Sequence, residues 1–118
     1  ASLSDLLIVA ARRGDLAMLK LLGEAGANVD AQSGEGTSAL MTAAAIGCLD
    51  CIAYLVDHGA AINDRDRMGN TALHIAVLNG KAEAAERLIE SGADRYIVND
   101  AGESYASITA QAKAAAGD

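Results

Sequence analysis

The chain has 118 residues, 52% of them hydrophobic but only 3% aromatic, with no tryptophan, phenylalanine or proline. Its 16 acidic and 9 basic residues leave a net charge of −7, which makes nucleic acid phosphates a poor ligand. No stretch reaches the roughly 20 apolar residues of a membrane span, and no basic segment precedes Leu6-Leu7-Ile8-Val9, so the start is not read as an intact signal peptide.

From the N-terminus, Ser4 is placed to cap a first short helix that stops at Gly14, where a left-handed residue is wanted. Asp15 then opens a second helix with Leu16, Leu19, Leu21 and Leu22 as its apolar stripe, closed by Gly26. The polar, turn-rich stretch from Asn28 to Gly36 reads as a projecting hairpin loop. Ser38 begins the next pair of helices, broken at Gly47 and closed at Gly59, with Asp50 in the first turn of the second helix and Ile52, Leu55 and Val56 on its stripe. After a second loop from Ala61 to Gly69, Thr71, Gly80, Glu83, Ala85, Leu88, Ile89 and Gly92 repeat the pattern. A third loop runs from Asp94 to Gly102, and Ser104 caps one last helix with no second helix after Ala116. That tail is expected to be the least stable region, with an exposed Ile108.

Three glycine series, Gly14/Gly47/Gly80, Gly26/Gly59/Gly92 and Gly36/Gly69/Gly102, all step by 33 residues. A repeated helix–turn–helix unit follows, and one unit alone is too small to bury its own apolar face. The third unit, Asp66-Arg67-Met68-Gly69-Asn70-Thr71-Ala72-Leu73-His74 with Asn79-Gly80 and Leu88-Ile89-Glu90-Ser91-Gly92-Ala93-Asp94, resembles the ankyrin signature Asp-x-x-Gly-x-Thr-Pro-Leu-His and its Leu-Leu-x-x-Gly-Ala-Asp close. The resemblance implies an all-α ankyrin-repeat solenoid of stacked helix–turn–helix units with hairpin finger loops. It is expected to form a single domain over 1–118, with repeats at about 1–32, 33–65, 66–98 and a C-terminal partial repeat at 99–118. Thr-Ala-Leu in place of Thr-Pro-Leu, the missing proline and the alanine-rich helices look like bacterial or engineered members.

Cys48 and Cys51 form a Cys-x-x-Cys, which suggests redox or zinc chemistry. A redox motif of this type normally accompanies a βαβ unit, absent from this pattern, and His58 completes no strong zinc template. The pair is therefore read as a small core residue, Cys51, and a partly exposed Cys48, with no disulfide framework. His74 falls in a slot where the resemblance implies a structural histidine that hydrogen-bonds backbone, and His58 sits at a helix end. Asp64-Arg65-Asp66-Arg67 alternates in sign, unlike a calcium loop, and Glu83, Glu86 and Glu90 form a solvated helix face. No catalytic residue, cofactor or metal site is assigned.

The resemblance implies a non-catalytic protein-protein interaction module: an adaptor, an inhibitor or a targeting domain. Its partner would meet the finger tips and the inner face of each first helix. Those positions are Gln32, Glu35, Thr37, Ala45 and Ile46 in the second unit, and Arg65, Arg67, Met68, Asn70, Leu78 and Asn79 in the third. The remnant adds Val98, Asp100, Ala101 and Glu103. A protein partner with no nucleic acid and no membrane is expected, for a monomer whose C-terminal edge could form a weak dimer. The alternative is a structural or self-associating scaffold. Arg95-Tyr96-Ile97-Val98 departs from the family's usual Asp-Val-Asn-Ala finger.

Overall fold

A computed structural model describes residues 2–117. Seven helices form among these residues: α1 Leu3–Arg13, α2 Leu16–Glu24, α3 Ala39–Ile46, α4 Leu49–Asp57, α5 Ala72–Leu78, α6 Ala82–Glu90 and α7 Tyr105–Ala116. Most begin where a side chain satisfies a backbone N–H that has no partner within the helix. The hydroxyls of Ser38, Thr71 and Ser104 accept from the N–H groups of Met41, His74 and Ser107, so the caps expected for α3, α5 and α7 are in place. Ser4 does not cap α1. Ser2 does, because Asp5 lies three residues on and closes a reciprocal capping box, whereas Ser4 faces Leu7 at that spacing.

The helices pair as α1–α2, α3–α4 and α5–α6, and the pairs stack so that α1, α3, α5 and α7 make one row and α2, α4 and α6 a second. The chain is accordingly elongated, 51 × 24 × 21 Å. Its core repeats along this long axis. Leu7, Leu40 and Leu73 are each at most 2% exposed, and so are Ala10, Ala43 and Ala76, one full period apart on the first-row helices. Leu22, Leu55 and Leu88 fill the corresponding places in the second row. Small alanines at the contact let neighbouring helix backbones approach closely, which is why a chain with so few aromatic rings still closes a core.

Two expectations about burial fail. Leu21 is 62% exposed while Leu19 and Leu22 are buried; two residues on from Leu19 is about 200° round the helix, so Leu21 points away from α1. Ile108 is half-buried rather than exposed, and Tyr105 is the α7 side chain that packs against the core. No α7 residue is fully buried, so this end of the stack adds little to the core.

His74 joins the third unit to that end. Its ring is 1% exposed. Nδ1 accepts the Thr71 N–H at 3.1 Å and the Thr71 hydroxyl at 2.9 Å, which leaves the proton on Nε2, where it donates to the Glu103 carbonyl at 2.8 Å. Ser107 occupies the same slot one period later and satisfies only its own cap, at Ser104. Every buried side-chain nitrogen and oxygen among the described residues has a partner. His74→Leu leaves the Thr71 N–H without an acceptor and takes one of two donors from the Glu103 carbonyl, which keeps the Asn99 N–H, at a cost of about 1–3 kcal/mol. Because stability in a repeat stack is held by neighbours, the loss should appear first as faster amide exchange in α7 and α5, with α1 and α2 little changed; equal acceleration in all helices would contradict this coupling.

Candidate functional site

Between the helix pairs the chain turns out as three fingers, and the same hydrogen bonds build each. Ser33, Asp66 and Asn99 stand at the finger starts, and each side-chain oxygen accepts the N–H groups two and four residues on. Their own N–H groups donate to the carbonyls of Thr37, Asn70 and Glu103, closing each turn. Adjacent fingers are then tied by backbone bonds, Arg67 N–H to the Glu35 carbonyl at 3.1 Å and Asp100 N–H to the Met68 carbonyl at 3.0 Å.

Side chains reinforce the ties at the same interval. Gln32 donates from Nε2 to the Gly36 carbonyl at 2.8 Å and to the Arg65 carbonyl at 3.1 Å. Arg65 repeats this one unit later, with Nε on the Gly69 carbonyl at 3.2 Å and Nη2 on the Val98 carbonyl at 2.7 Å. Arg67 Nη1 reaches back to the Gly34 carbonyl at 3.3 Å. Behind the tips, Asp30 accepts the Ala61 N–H and Asn63 accepts the Asp94 N–H, two bonds in identical register. Sequence reasoning missed this second pair, although the 33-residue spacing of Asp30 and Asn63 carries the signal. Tyr96 takes the third place in that series and is 72% exposed.

The residues expected on the surface thus fall into two groups. Gln32, Arg65 and Asn70 hold fingers in place; Asn70 Oδ1 accepts from Asn99 at 2.8 Å. Asn79 is also spoken for, its side-chain amide donating to the Ile75 carbonyl at the end of α5. The second group is apolar and outward: Met68 is 68% exposed, Leu78 52%, Val98 49% and Ile46 40%. Glu35 and Asp100 are exposed, Thr37, Ala45 and Glu103 are half-buried, and Ala101 is exposed at its finger tip.

Met68 sits between two grooves. One is lined by Glu35, Thr37, Asp66, Arg67 and Met68, the other by Arg67, Met68, Asn70, Leu78, Asn99, Asp100, Ala101 and Glu103. Both grooves thus combine Met68 and Arg67 with acidic side chains, Glu35 and Asp66 in the first and Asp100 and Glu103 in the second, and the second adds Leu78. Ile46 borders a separate hollow with Gly47, Leu49, Gly80 and Lys81, where the α3 and α5 ends lie side by side.

The cysteines are not both free thiols. Cys48 and Cys51 are joined by a disulfide, Cα to Cα 5.3 Å, at the start of α4. The burial expected of each holds, with Cys51 fully buried and Cys48 partly so. Helical geometry explains the pairing: an N-cap side chain folds over the first turn toward the residue three positions on. His58 is engaged elsewhere, stacked on Tyr54 with centroids 4.0 Å apart and Nδ1 on the Tyr54 carbonyl at 2.8 Å. No group of three or more His, Cys, Asp or Glu side chains is arranged to hold a metal ion among the described residues, and no helix there is long and apolar enough to cross a membrane.

Against protein-family descriptions, the chain matches ankyrin repeats, in three copies, over residues 7–99. No curated protein matches it at a significant level.

Close finger contact makes a local prediction. Gly69 has φ +79° and a Cβ there would lie 2.9 Å from the Asp100 backbone nitrogen, whereas Gly102 has φ +80° and open space. Alanine at either position meets the left-handed penalty of about 1–2 kcal/mol, but Gly69→Ala must also push neighbouring fingers away from each other. Urea unfolding should place Gly69→Ala below Gly102→Ala in midpoint; the reverse order would refute the interlocked geometry.

Proposed function

Because this chain belongs to the ankyrin-repeat family, we propose that it is a protein-binding domain whose contact surface is centred on Met68 and extends to Leu78, Ile46 and the finger tips. Ankyrin repeats are generally protein-interaction modules and typically non-catalytic. The observation that carries the reading is the position of Met68, two-thirds exposed between two grooves that share it and Arg67. A flexible thioether in a hollow beside Leu78 accepts apolar side chains of differing shape. Arg67 with Glu35, Asp100 and Glu103 supplies a polar rim around it, the composition of an anchor surrounded by orienting groups.

Two physical features support recognition over mere exposure. The fingers are tied to one another by the bonds described above, so little conformational freedom remains to be lost on association. The net charge of −7 speeds encounter with a partner that presents basic or neutral surface, and this steering weakens with added salt. In this reading residues 1–118 act as one domain. Gln32, Thr37, Arg65, Asn70 and Asn79 hold the surface in shape, while Glu35, Arg67, Val98 and Asp100 contribute to contact.

The double variant Met68→Glu, Leu78→Lys tests the surface without changing net charge. Both side chains are exposed, so the unfolding free energy should shift by no more than about 0.5 kcal/mol per site. Affinity capture from host lysate should recover a partner with the parent chain and lose it with the folded variant. Equal recovery by both would remove this surface from consideration.

A further inference from the structure

Residues Asp15, Cys48 and Lys81 occupy one slot in three successive units, each standing just before a second-row helix. Asp15 fills it with an anion: its carboxylate accepts the Met18 N–H at 3.0 Å. Lys81 makes no side-chain cap. Cys48 places its sulfur there, 3.3 Å from the Cys51 N–H, and the same sulfur is bonded to Cys51. One cysteine of the pair is partly open to solvent and the other is 0% exposed in the core beside Ile52 and Leu55.

We propose that Cys48 and Cys51 form a thiol–disulfide exchange site for small thiols and their disulfides, with Cys48 the sulfur that joins the external thiol and Cys51 the resolving one. Three features carry this. First, the disulfide spans only the first turn of a nine-residue helix; closing so short a loop restrains the unfolded chain far less than a long-range staple would. The bond is therefore not needed to hold distant segments together.

Second, both redox states fit the fold. On reduction, a Cys48 thiolate stands at the N-terminus of α4 in the slot where Asp15 already holds a negative charge, facing backbone N–H groups that favour the thiolate over the thiol. Cys51 then remains in the core as a small apolar thiol. Third, access differs between the two sulfurs. Cys48 is partly open to solvent, whereas Cys51 is 0% exposed.

An external thiolate attacks Cys48 Sγ, forming a mixed disulfide as the Cys48–Cys51 bond breaks; the electron pair passes to Cys51 Sγ, which takes a proton from solvent. A second external thiolate attacks the outer sulfur of the mixed disulfide and releases Cys48 as thiolate. Two external thiols are oxidised to one disulfide and the protein pair is reduced to two thiols. Run backwards, the Cys48 thiolate attacks a small disulfide and Cys51 resolves the adduct.

The full chain, oxidised with glutathione disulfide, would be equilibrated across ratios of reduced to oxidised glutathione, quenched in acid, labelled with maleimide and weighed. Two free thiols should appear together in a single transition while the far-ultraviolet circular dichroism stays constant. Limiting iodoacetamide on the reduced chain should modify Cys48 at least tenfold faster than Cys51. Glutathione disulfide should leave one glutathionyl group on Cys51→Ala and none on folded Cys48→Ala. The wild-type measurements suffice if either variant misfolds. Failure of the disulfide to form, reduction only at the rate of global unfolding, or equal reactivity of the two thiols would each overturn the proposal.

Discussion

Close approach of the first-row helices governs everything else in this molecule. Ala10, Ala43 and Ala76 meet at the interfaces of α1, α3 and α5, and each is 2% exposed or less. A methyl group is the largest side chain that leaves room for Leu7, Leu40 and Leu73 to interdigitate beside it. A bulkier residue would force the helices apart, and the finger bonds, with donors and acceptors 2.6–3.3 Å apart across neighbouring units, would lengthen past useful geometry. Core spacing and finger spacing are therefore one quantity. The scarcity of aromatic residues fits that spacing: among the buried positions of α1, α3 and α5 the one ring is that of His74.

The fingers in turn convert a repeating core into a stiff surface. Gln32 and Arg65 spend their donors on carbonyls one period away, and Asp30 and Asn63 accept N–H groups from the next unit. A charged or amide side chain exposed at a finger base would ordinarily be read as available for a ligand. Here it is already committed, and the apolar residues between the ties are the ones left open. This inverts the usual reading of a polar surface: the polar groups build the shape, and Met68, Leu78 and Val98 occupy it.

The repeat architecture was legible because three independent glycine series and the hydroxyl caps at Ser38, Thr71 and Ser104 kept one interval. Legibility failed where a single residue's neighbours decide the outcome. Ser2 outcompeted Ser4 because Asp5 could answer it. Leu21 looked like core by composition and lies outside by helical phase. At the site, sequence alone could not separate Arg65, bound to Val98 and Gly69, from Met68, whose side chain stands open. Hydrogen-bond partners a full period away are invisible until the units are stacked. The cysteine pair was seen as a motif, yet its pairing depended on Cys48 standing at the N-cap itself.

In a repeat stack, what recurs is what the fold requires, so the informative residues are those that break the series. At the slot of Leu7, Leu40 and Leu73 the residue hardly changes, because each copy fills the same space. At the slot shared by Glu35, Met68 and Ala101 it changes completely, on finger tips whose backbone is almost the same, with the bond from Arg67 to Glu35 repeated from Asp100 to Met68. Packing cannot account for that difference, since none of the three side chains is buried. The slot of Asp15, Cys48 and Lys81 breaks in the same manner on the opposite kind of element, a helix start. His74 breaks its series as well, after Met41 and before Ser107, but inward, and its three hydrogen bonds account for it fully. An aperiodic residue with every polar atom satisfied inside is a device of stability. An aperiodic residue facing water on a rigid frame is not fixed by packing, so the frame sets where it stands and leaves its identity free.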